Sequence, residues 1–309
     1  MSRVTSRPSW RGARFAAISS ALFSLIATMA IGPAAPASAV NGTTVCALTS
    51  GGSGVYRYNG ASWTRIGDAA GHLYGGRFGL FATTPDGREI VRYLNSPFNW
   101  QGIGGSGATW AVTNDAIYRL SPDLSGVWKW TGTGLNWTQV GGPANWLYGG
   151  GLGLFATTPD RSAIYNYRGT PWDWQGLGQA APQDITYVVG GSNIYGLGGD
   201  HHLWVWNPNL AGWVRPQNQP LSPITWLVGD GGGIAPATLD DHGNLFTTSG
   251  EPLTGQPFPI GNSNIDVVRT SNDSAVYAAS PLRDSVWKRS IAGWSKIGDL
   301  QTQQLVSCP

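Results

Sequence analysis

The side chains that could do acid–base or nucleophilic chemistry are sparse in this sequence. It contains two glutamates, Glu89 and Glu251, and most of its aspartates lie in turn-like segments such as Thr84-Pro-Asp-Gly87. Aspartates in such segments ordinarily accept hydrogen bonds from the local backbone. The G-x-S-x-G, H-E-x-x-H and D-x-D-x-D-G motifs of hydrolases, zinc peptidases and calcium loops do not occur. The sequence therefore predicts that the protein is not an enzyme and uses no cofactor.

The densest group of potential metal ligands is Asp200-His201-His202, and Asp240-Asp241-His242 follows further along the chain. Imidazole and carboxylate groups together could bind a metal ion. Glycines beside both groups, Gly199 and Gly243, are typical of exposed turns. We therefore expect two solvated turns rather than a metal site.

Aromatic residues offer more informative chemistry, because sixteen tryptophans occur in a chain with 12% charged residues. Flat rings can stack on the faces of sugars, and a low charge suits a neutral ligand. Four candidate carbohydrate-binding residues stand with His72 at the entry to predicted inner strands, and a fifth lies in a loop. They are Trp110, Trp146, Tyr187, Trp226 and, in the loop, Trp172. Aromatic pairs such as Tyr165/Tyr167, and the tryptophan of each repeat, are predicted to fill the core.

A repeat of about 37 residues must position these rings. The motif W-x-x-[Ile/Val/Leu]-G begins at Trp63 and recurs three times at intervals of 37 residues, and three further copies follow, two of them degenerate. The seven copies begin at Trp63, Trp100, Trp137, Trp174, Trp213, Pro257 and Trp294. Each repeat reads as four short strands separated by turn residues, without a helical apolar period. This pattern predicts an all-β fold, a seven-bladed β-propeller.

A longer period lies over this repeat. Leu73-Tyr-Gly-Gly76 and Gly79-Leu-Phe-Ala-Thr83 recur two repeats later as Leu147-Tyr-Gly-Gly150 and Gly153-Leu-Phe-Ala-Thr157. The N-terminal blades therefore look duplicated in pairs.

The two chain ends predict how the ring closes. Val45-Cys-Ala-Leu-Thr49 aligns with a second strand, so the first blade lacks its inner strand. The tail Gln304-Leu-Val-Ser307 comes where an inner strand belongs, and we expect it to pair with the N-terminal blade. Cys46 and Cys308 would then lie on adjacent strands and form a disulfide in an oxidising compartment. The alternative is two free thiols.

The first 39 residues read as a secretory signal peptide, so the propeller would span residues 40–309. Four arginines precede an apolar run, and Ala37-Ser-Ala39 offers a cleavage site. The chain has 19 Lys and Arg residues against 17 Asp and Glu residues. Without the four leader arginines, 15 basic groups face 17 acidic groups. This balance argues against nucleic acid as a partner, and we expect a secreted, extracellular protein with no membrane attachment after cleavage.

The repeats end in W-x-x-[Ile/Val]-G and follow aromatic strands such as Ile164-Tyr-Asn-Tyr167 and Val127-Trp-Lys-Trp130. In this they resemble tectonin repeats and the tachylectin-type propeller lectins, over essentially all of the mature chain. The resemblance implies sugar binding or surface recognition. We therefore expect a multivalent lectin-like propeller whose partners are glycans of a cell surface or a polysaccharide. The alternative is a non-catalytic interaction propeller that is a subunit of a secreted assembly with another protein.

Overall fold

The computed structural model describes residues 44–178, 186–217, 223–228, 237–240, 242, 244–248, 252–253, 267–270, 275–290 and 292–309. Within these ranges the chain is all-β, apart from a single 3-10 turn at Ser50–Gly52. Among the described residues, no helix is long and apolar enough to cross a membrane. The predicted signal peptide lies outside the described part of the chain.

The strands are short, with three to seven residues each. They are β1 (Thr44–Thr49), β2 (Val55–Tyr58), β3 (Trp63–Gly67), β4 (Leu73–Gly76), β5 (Gly79–Thr83), β6 (Glu89–Tyr93), β7 (Trp100–Gly105), β8 (Thr109–Val112), β9 (Ile117–Leu120), β10 (Val127–Trp130), β11 (Trp137–Gly141), β12 (Trp146–Gly150), β13 (Gly153–Thr157), β14 (Ile164–Tyr167), β15 (Trp174–Gly176), β16 (Thr186–Val189), β17 (Ile194–Leu197), β18 (Leu203–Asn207), β19 (Gly212–Val214), β20 (Ile224–Val228), β21 (Ala237–Asp240), β22 (Leu245–Thr247), β23 (Val267–Arg269), β24 (Val276–Ala279), β25 (Val286–Ser290), β26 (Gly293–Gly298) and β27 (Thr302–Cys308).

These strands form antiparallel sheets in chain order, each written here from its inner to its outer strand. Sheet 1 is β27-β1-β2-β3, sheet 2 is β4 to β7, sheet 3 is β8 to β11, and sheet 4 is β12 to β15. Sheet 5 is β16 to β19, sheet 6 is β20 to β22, and sheet 7 is β23 to β26. The prediction of an all-β propeller with four-stranded blades is confirmed. Six sheets are four-stranded blades, rather than the seven expected. Sheet 6 has three strands, and the degenerate motif copy at Pro257 falls outside the described residues.

The repeated motif is explained by contacts between neighbouring sheets. The indole N–H of Trp100 donates to the carbonyl of Ile66 in the preceding motif, with 2.9 Å between nitrogen and oxygen. The same bond joins the later pairs, from Trp137 to Ile103, Trp174 to Val140 and Trp213 to Leu177. The motif glycine is required because a Cβ on Gly67 would lie 2.9 Å from the Trp100 nitrogen. The motif is therefore a latch between sheets.

The aromatic residues that end the third strands pack behind this latch. Tyr93 and Tyr167 are buried, and each ring centre lies 5.1 Å from that of its own motif tryptophan. Trp130 occupies the same position in sheet 3 and is 2% exposed. The prediction that the paired rings fill the core is correct for this second member of the pair, and it is wrong for the first member in sheet 4, Tyr165, which is 38% exposed.

The chain ends meet in sheet 1. Strand β27 pairs with β1 from Thr44 to Thr49, in the innermost position. The predicted disulfide between Cys46 and Cys308 is confirmed, and both residues are fully buried. The side-chain amide of Gln304 extends this seam to sheet 2, since it donates to the carbonyl of Leu73 at 2.9 Å and accepts from its N–H at 2.8 Å.

A pair of alanine substitutions in β7 tests the latch. A Cβ on Gly104 would lie 2.8 Å from the indole nitrogen of Trp137, whereas a Cβ on Gly102 would have no heavy atom within 4 Å. We expect Gly104→Ala to displace the indole, break its bond to Ile103 and lower the free energy of unfolding by about 2 kcal/mol. Gly102→Ala should change it by less than about 0.5 kcal/mol. Urea denaturation measures both, and equal effects would contradict the latch.

Candidate functional site

The predicted column of sugar-binding rings at the strand entries is wrong for Trp110 and Tyr187. Both are 5% exposed. Trp110 packs between Tyr74 of the preceding sheet and its own motif Trp137, with ring centres 6.3 and 5.7 Å away. Tyr187 repeats this arrangement in sheet 5 with Tyr148 and Trp213, at 5.4 and 5.6 Å.

The position of each ring within its strand explains why Trp110 and Tyr187 are buried whereas Trp146 is exposed. Trp146 is the first residue of β12, whereas Trp110 and Tyr187 are the second residues of β8 and β16. Successive side chains of a strand point to opposite faces, so an offset of one residue turns a ring from solvent into the core. Trp146 is accordingly 49% exposed. Trp226 lies on β20, and its side chain is outside the described part of the structure.

The aspartates between second and third strands are turn residues. Asp160 accepts hydrogen bonds from the backbone N–H and the hydroxyl of Ser162, at 3.1 and 2.8 Å. Hydroxyl hydrogen bonds, the first of them from Thr158, lower the pKa of Asp160 to about 2. Asp123 has the same arrangement with Ser121 and Ser125, and its pKa also falls to about 2. These carboxylates are held ionised for structural hydrogen bonding.

The side chains of the histidine-containing turn at Asp200–His202 also bond to nearby protein groups. Asp200 accepts from the backbone N–H of His202 and pairs with Arg215 at 2.6 Å. The Nδ1 of His201 lies 3.2 Å from the carbonyl of Ile224. Among the described residues, no three His, Cys, Asp or Glu side chains are grouped to hold a metal ion.

The most exposed set of apolar side chains lies in the turns between third and fourth strands of four successive sheets. Each is two or three residues before a motif tryptophan. These residues, which we call the rim ridge, are Phe98, Leu135, Trp172 and Leu210, with 55, 70, 61 and 68% of their surface exposed. Trp172 was predicted from sequence as an exposed ring. The other three were missed, although their offset of two or three residues from the motif tryptophan was a usable signal.

The backbone holds two ridge residues in a costly conformation. Phe98 has φ of 61° and Trp172 has φ of 70°, the left-handed region that bulky residues rarely occupy. Each N–H donates to the carbonyl that the next motif tryptophan also uses, Ile66 for Phe98 at 2.8 Å and Val140 for Trp172 at 2.9 Å. The latch therefore fixes the direction of both rings.

A pocket of about 190 Å³ lies between sheets 3 and 4, and the ring of Trp172 would lie 3.9 Å from a Cβ on one of its lining residues, Gly142. Tyr165, Trp174, Thr157 and the Gly141–Ala144 segment line it. Tyr165 pairs across the strands with Gly176 and is 38% exposed. The corresponding ring of sheet 5, Trp204, is instead covered by the guanidinium of Arg215, 4.7 Å from its centre. The pocket exists because Gly176 has no side chain to cover Tyr165; we call it the Tyr165 pocket.

A larger cavity of about 380 Å³ opens between the turns that carry Leu135 and Trp172. Residues of both turns line it, together with the aromatic rings of Phe78, Trp130 and Tyr167 and the side chains of Asp115 and Lys129. We call it the Lys129 cavity. The turn that carries Trp172 thus lies at the seam of sheets 3 and 4, where its Gly169 and Pro171 line the second cavity.

No family model and no curated protein matches the chain. Solved propeller structures do. Apo AztD from Citrobacter koseri matches with a TM-score of 0.57 and 9% identity, over 87% of this chain and 99% of that one. YCF48 from Cyanidioschyzon merolae has a TM-score of 0.49 and 13% identity, over 81 and 88%. Yeast RCC1 (Prp20), in its structure with Kap60, also has a TM-score of 0.49 and 13% identity, over 74 and 76%. At these identities the likeness shows the fold alone.

Proposed function

We propose that this chain is a non-catalytic, secreted recognition propeller that binds another protein through the rim ridge, with Trp172 as the central anchor. The observation that carries the proposal is that the tryptophan is 61% exposed while its backbone is at φ of 70°. Such a conformation costs an L-residue about 1–2 kcal/mol. In the isolated chain the hydrogen bond from the Trp172 N–H to the carbonyl of Val140 offsets that cost, and the ring is left exposed in a fixed direction. A partner that covers the ring would add the stabilisation that the ring itself lacks.

The composition of the rim ridge supports a protein partner over a sugar. Two of its four members, Leu135 and Leu210, have no flat ring to stack on a pyranose. What all four share is exposed apolar area, the kind of surface that protein partners cover. Tryptophan is also enriched among the residues that dominate binding energy at such interfaces.

The same proposal includes a closed propeller of seven blades. We take the three-stranded sheet 6 as the seventh blade. The pairing of β27 with β1 would then close the ring. The close approach of Trp63 to Gly298 supports this closure, since a Cβ there would lie 2.8 Å from the indole. The buried disulfide supports export by the predicted signal peptide. The tectonin-like character of the repeats remains part of this proposal.

A second candidate function, carbohydrate binding, is favoured specifically by the Tyr165 pocket. An open tyrosine face beside the hydroxyl of Thr157 suits one sugar ring, and the volume of about 190 Å³ is too small for a larger ligand. Binding on a glycan array that disappears with Tyr165→Ala would establish this activity. A blank array would leave the protein-binding proposal alone.

Trp172→Asn tests the main proposal. Asparagine tolerates a positive φ better than tryptophan, so the variant should keep its melting temperature or gain up to about 1 kcal/mol of stability. Loss of an anchor tryptophan should weaken partner binding by about 2 kcal/mol or more, near thirtyfold. The measurement is retention of secreted proteins from the source culture medium by immobilised wild type and variant.

The matched control is Leu282→Asn, which removes an apolar side chain that is 85% exposed outside the rim ridge. A protein retained by wild type and by Leu282→Asn but lost with Trp172→Asn supports the proposal. Equal retention by both variants would contradict it.

A further inference from the structure

The Tyr165 pocket carries an inference about the chemistry of the partner. Its tyrosine belongs to a row of aromatic side chains that begin the ring pairs of the third strands. In sheets 1, 3, 4, 5 and 7 this row is Tyr56, Trp128, Tyr165, Trp204 and Trp287. Four of the five rings are half-buried, and Tyr165 is the exposed one. The reason lies in the side chain that accompanies each ring.

Arginine side chains lie beside the rings in sheets 1 and 5. A Cβ on Gly54 would lie 3.2 Å from the Tyr56 ring and equally far from Arg65 Nε, so these two side chains are neighbours. The guanidinium of Arg215 lies 4.7 Å from the centre of the Trp204 ring. In both sheets the chain itself places a guanidinium beside the ring.

Sheets 3 and 7 repeat the arrangement with other donors. A Cβ on Gly126 would lie 2.7 Å from Gln139 Nε2 and 3.1 Å from the indole nitrogen of Trp128. Lys296 is the cross-strand partner of Trp287, and such partners have neighbouring side chains. Each half-buried ring therefore has an N–H donor of its own sheet next to it, and three of the four donors are cations.

Sheet 4 lacks this donor. The cross-strand partner of Tyr165 is Gly176, which has no side chain. A Cβ on Gly176 would lie 3.2 Å from the tyrosine ring, so the missing side chain leaves the ring open. Tyr165 is 38% exposed, and none of the residues that line the pocket is charged. The place that a guanidinium occupies in sheets 1 and 5 is thus open to a ligand in sheet 4.

Sheet 4 also keeps the acceptor that such a donor uses. In sheet 1, Arg65 Nε donates to the carbonyl of the motif glycine, Gly67, at 3.3 Å. Gln139 donates to the corresponding carbonyl of sheet 3 at 3.2 Å. In sheet 4 this carbonyl is that of Gly178, which accepts the N–H of Ile164 and no side-chain donor of the described residues. A carbonyl oxygen has two lone pairs, so it can accept a second hydrogen bond.

The charges beside the pocket suit a cation. Asp160 is ionised and accepts a hydrogen bond from Thr158, one of the lining residues. The cation of the same turn, Arg161, is engaged with Asn145 Oδ1 at 2.8 Å. A guanidinium is flat, permanently charged, stacks on aromatic faces and donates several N–H bonds. It therefore matches the open ring, the carbonyl and the carboxylate together.

We propose that the Tyr165 pocket binds an arginine side chain of the partner protein. The guanidinium stacks on Tyr165, as in sheet 5, and donates to the carbonyl of Gly178. This inference rests on the proposed function and adds the partner's chemistry to it. One partner surface can reach both sites, because the Trp172 ring would lie 3.9 Å from a Cβ on Gly142, a lining residue of the pocket.

Two small probes test the inference on the protein as secreted. They are N-acetyl-arginine amide and N-acetyl-citrulline amide, which has nearly the same shape but no charge. Binding is followed by NMR from the indole N–H of Trp174, which lines the pocket and donates to the carbonyl of Val140 at 2.9 Å. We expect the arginine probe to bind in the millimolar range and about fivefold more tightly than the citrulline probe. Galactose and glucose should bind more weakly than the arginine probe.

A pair of glycine-to-arginine variants locates the effect. Gly176→Arg should place a guanidinium on Tyr165 from within the chain, keep the melting temperature, abolish binding of the arginine probe and lower partner retention. The backbone permits this change, since Gly176 is outside the left-handed region. Gly102→Arg is the matched control, because Gly102 lies opposite Val91 in sheet 2, where the row has no aromatic ring. It should leave probe binding and partner retention unchanged.

Tyr165→Leu is a further variant that needs no introduced arginine. It removes the ring and should reduce the arginine probe to the affinity of the citrulline probe. Melting curves of all three variants show whether the fold is kept.

Equal affinities for the arginine and citrulline probes, no binding at millimolar concentration, tighter binding of either sugar, or an arginine preference that survives Gly176→Arg would each overturn the inference. Unchanged partner retention by Gly176→Arg would also overturn it, because the arginine would then not belong to the partner. If the inference fails while Trp172→Asn still abolishes retention, the proposed function stands and only the arginine contact falls. If Trp172→Asn has no effect either, both fall.

Discussion

Removing the disulfide by the double substitution Cys46→Ala and Cys308→Ala is expected to lower the free energy of unfolding by about 5 kcal/mol. The two cysteines are separated by 262 residues, so the bridge closes nearly the whole described chain into one loop. On the chain-entropy account such a crosslink stabilises by restricting the unfolded state, and the effect grows with loop length. Few single contacts in a protein of this size have a comparable effect.

The variant should still fold, because β27 keeps its pairing with β1 and Gln304 keeps its two bonds to Leu73. Guanidinium denaturation with far-ultraviolet circular dichroism measures the change. The wild type in a reducing agent is a poor substitute, since both sulfurs are buried. A loss below about 1 kcal/mol would show that the unfolded chain is already compact and that the crosslink restricts little.

The second large effect is expected from Gly75→Ala in β4. A Cβ at this position would lie 1.9 Å from the carbonyl oxygen of Ser307 in β27, a backbone atom that cannot move without displacing the terminal strand. Overpacking against backbone should lower the free energy of unfolding by about 3 kcal/mol or more. It should also loosen the seam where the C-terminal strand meets sheet 2.

The control is Gly105→Ala, where the nearest heavy atom to a new Cβ is 3.8 Å away. It should be nearly neutral. Hydrogen exchange gives a local readout, because the amides of β27 should lose protection in Gly75→Ala ahead of those in sheet 4. Uniform protection in both variants would mean that the two inner strands are not in backbone contact at Gly75.

Most of the fold could be predicted from the 37-residue repeat, because the residues of its motif share one structural role, which is to hold neighbouring sheets together. Four motif tryptophans donate to a carbonyl of the preceding sheet, and three of these lie against its motif glycine, so the spacing of Trp100 and Trp137 reports the spacing of sheets. The disulfide was predictable for a similar reason. Aligning Val45–Thr49 with a second strand left one place for the C-terminal strand, and that put Cys308 beside Cys46.

The candidate site was harder to predict, because a column of aromatics in sequence does not specify register. Trp146 is nine residues after the preceding motif tryptophan and is the first residue of β12. Trp110 is ten residues after its preceding motif tryptophan and is the second residue of β8, so the two rings point to opposite faces. The direction of a cation was equally hidden, since Lys129 lies 3.5 Å from Asp115 of its own sheet, whereas Arg92 reaches Trp130 of the next sheet. Arg92 and Lys129 are conservative equivalents in sequence, and the structure uses them differently.

The rim ridge was predictable only in part. Its members lie two or three residues before a motif tryptophan, but the positive φ of Phe98 and Trp172 is not what a sequence with aromatic residues there would suggest. A local rule is broken at these two turns, and the backbone hydrogen bonds to Ile66 and Val140 offset the cost while the two rings stay exposed. Such violations are expected at functional positions.

The most direct test of protein recognition at the rim ridge is site-specific photo-crosslinking. A benzophenone amino acid replaces Trp172 in one protein and Leu282 in another, and each is irradiated in the culture medium of the source cells. The proposal predicts a discrete protein adduct from position 172 that is absent from position 282. Adducts from position 282 alone, or no protein adduct from position 172 at saturating protein concentration, would contradict it.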